Sequence, residues 1–216
     1  MGGAIYFNAS MDGVQIIGNY YCNNTAEFGG ANYFDGNVSN VNMTGNYYYN
    51  NTADNGGASF FGDVKNSIIN ETYIQNMAKD EGSANEIMDS ESVVMTGKYI
   101  NNTGRTLIEI KYSNKDNVIT DSIFINNDCV NVNIVNGDIH IINTWFGNNA
   151  SNYNETPQVK FEGNIVLDNW LFLNATVNHK VFSIDKTANI TFKLEAYNPI
   201  QKRYLAMIMA NCCLLN

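Results

Sequence analysis

Residues 45–58 read GNYYYNNTADNGGA, and residues 18–31 read GNYYCNNTAEFGGA. The two phrases begin 27 positions apart and keep an aromatic run, two Asn and two Gly at the same offsets. Self-similarity at a period of about 20–50 residues is the sequence signature of a repeat architecture. The repeat is therefore the feature to follow along the rest of the chain.

One part of the phrase, an aromatic residue three positions before an Asn, recurs with gaps of 27, 25, 26, 25 and 22 residues. The aromatic residues are Tyr21, Tyr48, Tyr73, Tyr99, Phe124 and Phe146, and the Asn residues are Asn24, Asn51, Asn76, Asn102, Asn127 and Asn149. A coil of this length, with two or three short strands and tight turns, is typical of a parallel β-helix. A helical repeat would need apolar residues at 3.6-residue spacing, and a propeller blade needs about 40 residues.

Equivalent positions on successive coils of a β-helix lie about 4.8 Å apart. The recurring aromatic residues are therefore predicted to form a stacked column inside the tube. The recurring Asn residues are predicted to form a corner ladder, because Asn tolerates the left-handed conformation and can hydrogen-bond to the Asn above and below.

Gly pairs are predicted to form another corner, where the backbone needs positive φ. The pairs are Gly2-Gly3, Gly29-Gly30 and Gly56-Gly57, and the pattern then degrades to Glu81-Gly82 and Thr103-Gly104.

The strand after each Gly pair shows a second pattern. An Ala is followed by a variable residue, such as Asn32 or Ser59, and then by an aromatic residue at Tyr6, Tyr33 or Phe60. Such alternation is typical of a strand with one buried and one exposed face. Because the aromatic positions are kept, they are predicted to face inward and the variable positions outward.

The phrases GGAxYF and GxxYxNNTAxxGGA resemble the repeats of polymorphic outer-membrane-type proteins, and more closely those of the adhesin-like surface proteins of gut methanogenic archaea. The resemblance covers about residues 1–175, and residues 143–149, NTWFGNN, resemble the phrase that closes the helix in this family. It implies a right-handed parallel β-helix that is exported to the cell surface. It also implies partners that are glycans or proteins on other cells or on the cell envelope.

The sequence divides into three parts. Residues 1–175 are predicted to be an all-β, right-handed parallel β-helix of about six to seven coils, which begins inside a repeat without an N-terminal cap. Residues 169–176, NWLFLNAT, resemble the bridge into an immunoglobulin-like domain in this family, which implies that residues 176–202 are the truncated start of such a domain. The alternation of apolar and polar residues from Ala188 to Ala196 agrees with a strand of an antiparallel sandwich. Residues 203–216 lose the Asn- and Tyr-rich composition and are expected to be a disordered or frameshifted tail.

Composition disfavours several classes of partner. Asn accounts for 38 of 216 residues, the formal net charge is −9, and residues 1–64 contain neither Lys nor Arg. A face that neutralises phosphates is therefore not expected, and neither is nucleic-acid binding. No run approaches the roughly 18 apolar residues of a membrane span. His140 and His179 lie far apart in sequence, so no metal or other cofactor is expected.

An enzyme is the main alternative to an adhesin-like scaffold. Polysaccharide lyases and glycoside hydrolases also use β-helices, and glycosidases need two converging carboxyl groups. The candidates are Glu109 with Asp121, Asp128 and Asp138, and Asp80 and Glu81 with Asp89 and Glu91. None of them recurs in the repeat, so the sequence favours a scaffold without catalytic residues. A purely structural envelope protein is a third hypothesis.

Three repeat copies carry Asn-Asn-Thr at the same corner, and each is an Asn-X-Thr sequon. In an exported protein the first Asn of each is a candidate glycosylation acceptor, namely Asn23, Asn50 and Asn101. The second Asn of each pair belongs to the predicted ladder.

Overall fold

The computed structural model describes residues 2–147, 161–177, 190–198 and 203–210. These residues form 21 strands joined by turns and contain no helix. The strands are β1 (Ile5–Phe7), β2 (Met11–Asp12), β3 (Gln15–Ile17), β4 (Tyr20–Cys22), β5 (Asn32–Ser39), β6 (Asn42–Tyr49), β7 (Thr52–Asn55), β8 (Ser59–Lys65), β9 (Ile68–Ile74), β10 (Met77–Glu81), β11 (Asn85–Glu91), β12 (Val94–Ile100), β13 (Thr103–Ser113), β14 (Val118–Thr120), β15 (Ile123–Ile125), β16 (Asp128–Ile142), β17 (Thr144–Trp145), β18 (Phe161–Leu167), β19 (Trp170–Val177), β20 (Ile190–Asn198) and β21 (Arg203–Ala210). They are hydrogen-bonded into one continuous sheet.

Strands β1 to β18 wind as a parallel β-helix of about six turns. Each strand pairs in parallel with its equivalent on the next coil, so that Tyr21 lies opposite Tyr48, Tyr48 opposite Tyr73, and Tyr99 opposite Phe124. The all-β, parallel β-helix predicted from the repeat is therefore confirmed. Asn149 lies outside the described residues.

The six recurring aromatic residues form one stack inside the tube. Ring centroids are separated by 4.9 Å (Tyr21–Tyr48), 5.0 Å (Tyr48–Tyr73), 5.2 Å (Tyr73–Tyr99), 4.7 Å (Tyr99–Phe124) and 5.5 Å (Phe124–Phe146). Such pairs contribute about 0.5–1.5 kcal/mol each beyond burial of area. The stack therefore ties every coil to the next along the axis.

The second Asn of each Asn-Asn pair forms a buried ladder beside this stack. In Asn51 the backbone N and Nδ2 both donate to Oδ1 of Asn76 at 3.0 Å, and Nδ2 also donates to the Tyr21 carbonyl at 3.1 Å. The same pair of bonds joins Asn24 to Asn51, Asn76 to Asn102, and Asn102 to Asn127. The ladder satisfies backbone groups at a corner that no strand reaches.

The residue before each ladder Asn makes the turn itself. Asn23, Asn50 and Asn101 are exposed and have φ of 56°, 53° and 54°, in the left-handed region that Asn tolerates. Gln75 takes the same conformation with φ of 56°. The sequence interpretation assigned both tasks to one Asn, whereas two neighbouring residues share them. This division explains why Asn recurs as a pair.

In the strand after each Gly corner, the side chains face the opposite way to the one predicted. Asn32 and Ser59 are fully buried and face the interior, where Asn32 Nδ2 donates to Tyr48 Oη at 2.8 Å. Tyr6 is 40% exposed, and Tyr33 lies half-buried on the outside. The inner positions are small and polar because they meet tyrosine hydroxyls, and a burial pattern based on hydrophobicity alone cannot reveal this.

The tyrosine stack allows a paired test of this interior. Tyr48 Oη accepts the bond from Asn32, whereas Tyr99 Oη is buried without a partner among the described residues. We expect Tyr48→Phe to lower the free energy of unfolding by about 1–3 kcal/mol, because it leaves a buried amide unpaired. Tyr99→Phe should leave it unchanged or raise it by about 1 kcal/mol. Urea unfolding followed by circular dichroism measures both, and equal losses would contradict the assignment.

The last strands change their pairing. β19 is parallel to β17 but antiparallel to β20, and β20 is antiparallel to β21. The strand expected from the alternation at 188–196 corresponds to β20. A second sheet packed on this one is absent from the described residues, so the immunoglobulin-like sandwich and the boundaries at 175 and 202 stay predictions. β21 overlaps the predicted tail, of which residues 211–216 lie outside the described ranges.

Candidate functional site

Two strand columns flank the Gly corner on the outside of the tube. On one side, Tyr33, Phe60, Glu86, Glu109 and Asn133 are in register on β5, β8, β11, β13 and β16. On the other side, Phe28, Asn55 and Glu81 are in register. We call this feature the bend groove, with an aromatic end (Phe28, Tyr33, Phe60) and a charged end (Glu81, Glu86, Glu109, Lys111).

Side chains from the two columns contact each other across the bend. The Phe28 ring lies 5.8 Å from Tyr33 and 5.5 Å from Phe60 between centroids, and Lys111 contacts Glu81. Phe60 is therefore only 7% exposed although it points away from the core. The chain bends at Gly56, where φ is +64° and an added Cβ would lie 2.6 Å from the Ser59 carbonyl oxygen.

The aromatic end combines ring surface with polar groups at its rim. Tyr33 and Phe60 meet edge to face, with centroids 5.1 Å apart. Tyr33 Oη donates to Asp35 Oδ1 at 2.8 Å, and burial, together with Asp35, raises the pKa of Tyr33 to about 12. This end therefore offers apolar surface, a neutral hydroxyl and a carboxylate side by side.

The charged end is built around Lys111. Its Nζ contacts Glu81 Oε2 and lies 3.3 Å from Glu109 Oε1, and Arg105 Nη1 donates to Glu81 Oε1 at 3.0 Å. Asn133 Nδ2 lies 3.0 Å from both carboxylate oxygens of Glu109. Burial lowers the pKa of Lys111, but Glu81 and Glu109 outweigh it and raise the pKa above its ordinary value. Glu81 and Glu109 are thus compensated by cations and amides.

Glu86 is the exception in this cluster. It is 4% exposed, and its Oε2 is buried without a partner among the residues that the structure describes. Burial raises the pKa of Glu86 to about 7, against the opposing effect of Lys111. An unpaired buried carboxyl group destabilises a fold, and groups with such shifted pKa values are often found at functional sites.

The structure brings together some of the carboxylates proposed for an enzyme and separates the others. Glu81 and Glu109 meet at Lys111 in the charged end. Asp121 and Asp128 are exposed and lie outside the groove, and Asp89 accepts a bond from Asn114 at 2.6 Å. Within the described residues, no three His, Cys, Asp or Glu side chains are arranged to hold a metal ion.

Glu86 was missed by the sequence analysis. Its signal is a departure from the repeat, because Glu86 occupies the position of Tyr33 and Phe60 in earlier coils. Glu86 and Glu109 are neighbours in register on β11 and β13, and glycosidases use two carboxyl groups that flank the scissile bond. Glu109 is fully buried and already accepts bonds from Asn133 Nδ2.

The predicted glycosylation acceptors lie at a different corner from the groove. Asn50 Nδ2 donates to Asn23 Oδ1 at 2.7 Å on this exposed edge, and Asn101 takes the equivalent position two coils further on. The part of the chain that the structure describes holds no helix that could span a bilayer. Comparison with protein-family models, with curated proteins and with solved structures finds no match for this chain.

Proposed function

We propose that this chain belongs to a cell-surface, adhesin-like protein whose β-helix is a scaffold for contacts with other cells or with the cell envelope. The resemblance of its repeats to adhesin-like proteins supports this proposal. The observation that carries it is the bend groove, because Tyr33 and Glu86 lie outside the aromatic stack and the Asn ladder of the interior. Tyr33 is half-buried on the outside of the tube, where a glycan or a protein can contact it.

The repeat suits such a role physically. The ladder Asn of each coil accepts the corner bonds of the coil before it, so the same contact is repeated as coils are added along the axis. Several weak contacts along one tube, or along many tubes on a surface, add up through multivalency. An extracellular location is part of this proposal, and glycosylation of Asn23, Asn50 and Asn101 would agree with it.

Adhesion of beads coated with the purified chain tests the proposal. We expect the beads to bind cells or isolated envelopes, and Tyr33→Ser to reduce this binding because it removes a ring from the groove. Tyr20→Ser is the matched control, since Tyr20 is 62% exposed on a different outer strand, and it should leave binding unchanged. Beads that bind neither cells, nor envelopes, nor arrayed glycans would contradict an adhesive function.

The same material separates the two alternatives from the sequence. A carbohydrate-active enzyme would release new reducing ends or unsaturated sugars from polysaccharides, and the adjacent Glu86 and Glu109 are the observation that favours it. A purely structural envelope protein would bind its own envelope but no other cell.

A further inference from the structure

We propose that the bend groove binds an uncharged glycan that lies along the helix axis, and that Glu86 anchors it through a hydrogen bond to a sugar hydroxyl. This inference rests on the proposed adhesive function and specifies the ligand class and the anchoring residue.

The direction of the groove selects an extended ligand. Tyr33, Phe60 and Glu86 occupy the same position on three successive coils, and adjacent strands lie about 4.8 Å apart. A linear glycan along the axis would therefore pass first over the aromatic end and then over the charged end. A ligand lying across the tube would meet only one of these two surfaces.

The lining matches the two kinds of surface that a sugar presents. Sugar rings carry apolar C–H groups, which suit the half-buried Phe28 and Tyr33 rings, and hydroxyl groups, which suit Asp35 and the Tyr33 hydroxyl. Ligand sites in general combine a mostly apolar lining with a few placed polar groups. The aromatic end followed by Glu86 has this composition.

The charges favour a glycan without acidic groups. Arg105 is bonded to Glu81, and Lys111 is shared between Glu81 and Glu109. Both of these cations are therefore already neutralised by carboxylates. The aromatic end adds Asp35, and residues 1–64 contain no Lys or Arg. A uronate or sulfate group would meet carboxylates in the groove without a cation left to pair with it.

Glu86 carries the specific contact because it lacks a partner in the free protein. Its Oε2 is buried and unpaired among the described residues, on the outward face of β11 between the inward-facing Asn85 and Ile87. A sugar hydroxyl supplies the missing hydrogen bond once the Glu86 carboxyl group turns outward from its buried position, and this bond is worth most where water is excluded. The stability that the unpaired group costs the free protein is then recovered on binding.

Glu71 provides a matched control inside the same tube. It is 2% exposed, and its Oε2 is also buried without a partner in the described part of the chain. Glu71 points into the core, however, where Asn46 Nδ2 donates to its Oε1 at 2.8 Å. It resembles Glu86 in burial and cannot touch a ligand on the outside.

Titration calorimetry with oligosaccharide probes tests the anchor. The neutral probes are cellohexaose, mannohexaose and xylohexaose, hexagalacturonate is the acidic probe, and chitosan hexamer is the basic probe. We expect the native chain to bind at least one neutral probe, and Glu86→Met to weaken this binding about tenfold or more while raising Tm. Glu71→Gln should also raise Tm but leave the affinity unchanged. Glu86→Gln, which keeps the shape of the side chain, should weaken binding less than Glu86→Met.

Each contrary outcome overturns a defined part of the proposal. Unchanged affinity in Glu86→Met and Glu86→Gln would remove Glu86 as the anchor, and circular dichroism identifies a variant that has not folded. Tighter binding of hexagalacturonate or of chitosan hexamer would overturn the uncharged ligand. Failure of all neutral probes, with bead adhesion intact, would overturn the glycan site but leave the adhesive function standing. Failure of both assays would overturn both proposals.

Discussion

Replacing Asn76 by Ala is expected to lower the free energy of unfolding by about 4 kcal/mol. Asn76 is fully buried and lies in the middle of the ladder. Its Oδ1 accepts bonds from the backbone N and Nδ2 of Asn51, and its Nδ2 donates to the Tyr48 carbonyl at 3.0 Å and to Asn102 Oδ1 at 3.1 Å. The substitution leaves several buried groups unpaired at once, and each costs about 1–3 kcal/mol.

Asn50→Gly is the control for this prediction. Asn50 belongs to the same kind of Asn-Asn pair but is exposed with φ of 53°, a conformation that Gly adopts without strain. We expect a change within about 0.5 kcal/mol in urea unfolding. Comparable losses in Asn50→Gly and Asn76→Ala would show that the two residues do not divide turn and ladder between them.

The repeated residues were the predictable part of the fold, because each keeps one task on every coil. Tyr48 and Tyr73 stack for the same reason that Asn51 and Asn76 bond, namely that equivalent positions recur at the strand spacing. Spacing in the sequence therefore translates directly into contacts in space. The aromatic stack and the ladder follow from that rule without knowledge of any other contact.

The Gly corner was harder to predict because the coils differ in length. The sequence pattern placed the fourth corner at Glu81-Gly82, but Asn85 lies opposite Ser59, so Gly82-Ser83 is equivalent to Gly56-Gly57. The φ values agree, at +64° for Gly56 and +66° for Gly82. The strand register shifts between Ala78 and Glu81. The spacing of the ladder Asn residues does not show where this shift occurs, so it misplaces the Gly corner by one residue.

The groove could not be predicted from the sequence because it depends on two segments that meet in space. Lys111 reaches Glu81 across the bend, at a separation of 30 residues that is longer than any coil. Glu86 is unusual only once its neighbours are known, since an outward-facing Glu on a strand is ordinarily solvated. Its burial and its missing partner follow from side-chain contacts across the bend, which the repeat does not encode.

Replacing Glu71 by Gln is expected to remove most of a fall in stability with rising pH. Burial raises the pKa of Glu71 to about 8, from 4.5 in the unfolded chain. Between these values the folded state holds a proton that the unfolded state has lost, so the free energy of unfolding falls as pH rises from 4.5 to about 8 and then levels. The full effect is about 5 kcal/mol as an upper bound.

The position of Glu71 explains why it has this effect. Asn19 donates to Asn46 Oδ1, and Asn46 Nδ2 donates to Glu71 Oε1, so Glu71 ends a second, shorter ladder. The next coil has Gly97 opposite Glu71 and therefore no side chain to continue the ladder. Glu71 Oε2 is left unpaired in the described interior, and burial there favours the protonated acid.

Urea unfolding between pH 4.5 and pH 9 measures this contribution. Glu86, with its pKa raised to about 7, also makes the free energy of unfolding fall as pH rises, but its contribution ends at a lower pH than that of Glu71. The stability of the native chain should therefore still decrease between pH 7 and pH 8, whereas that of Glu71→Gln should be nearly level there and higher by several kcal/mol at pH 9. Gln keeps an acceptor for Asn46, so the variant isolates the ionisation of the acid from the loss of a bond. Identical pH profiles would mean that Glu71 is ionised in the folded tube.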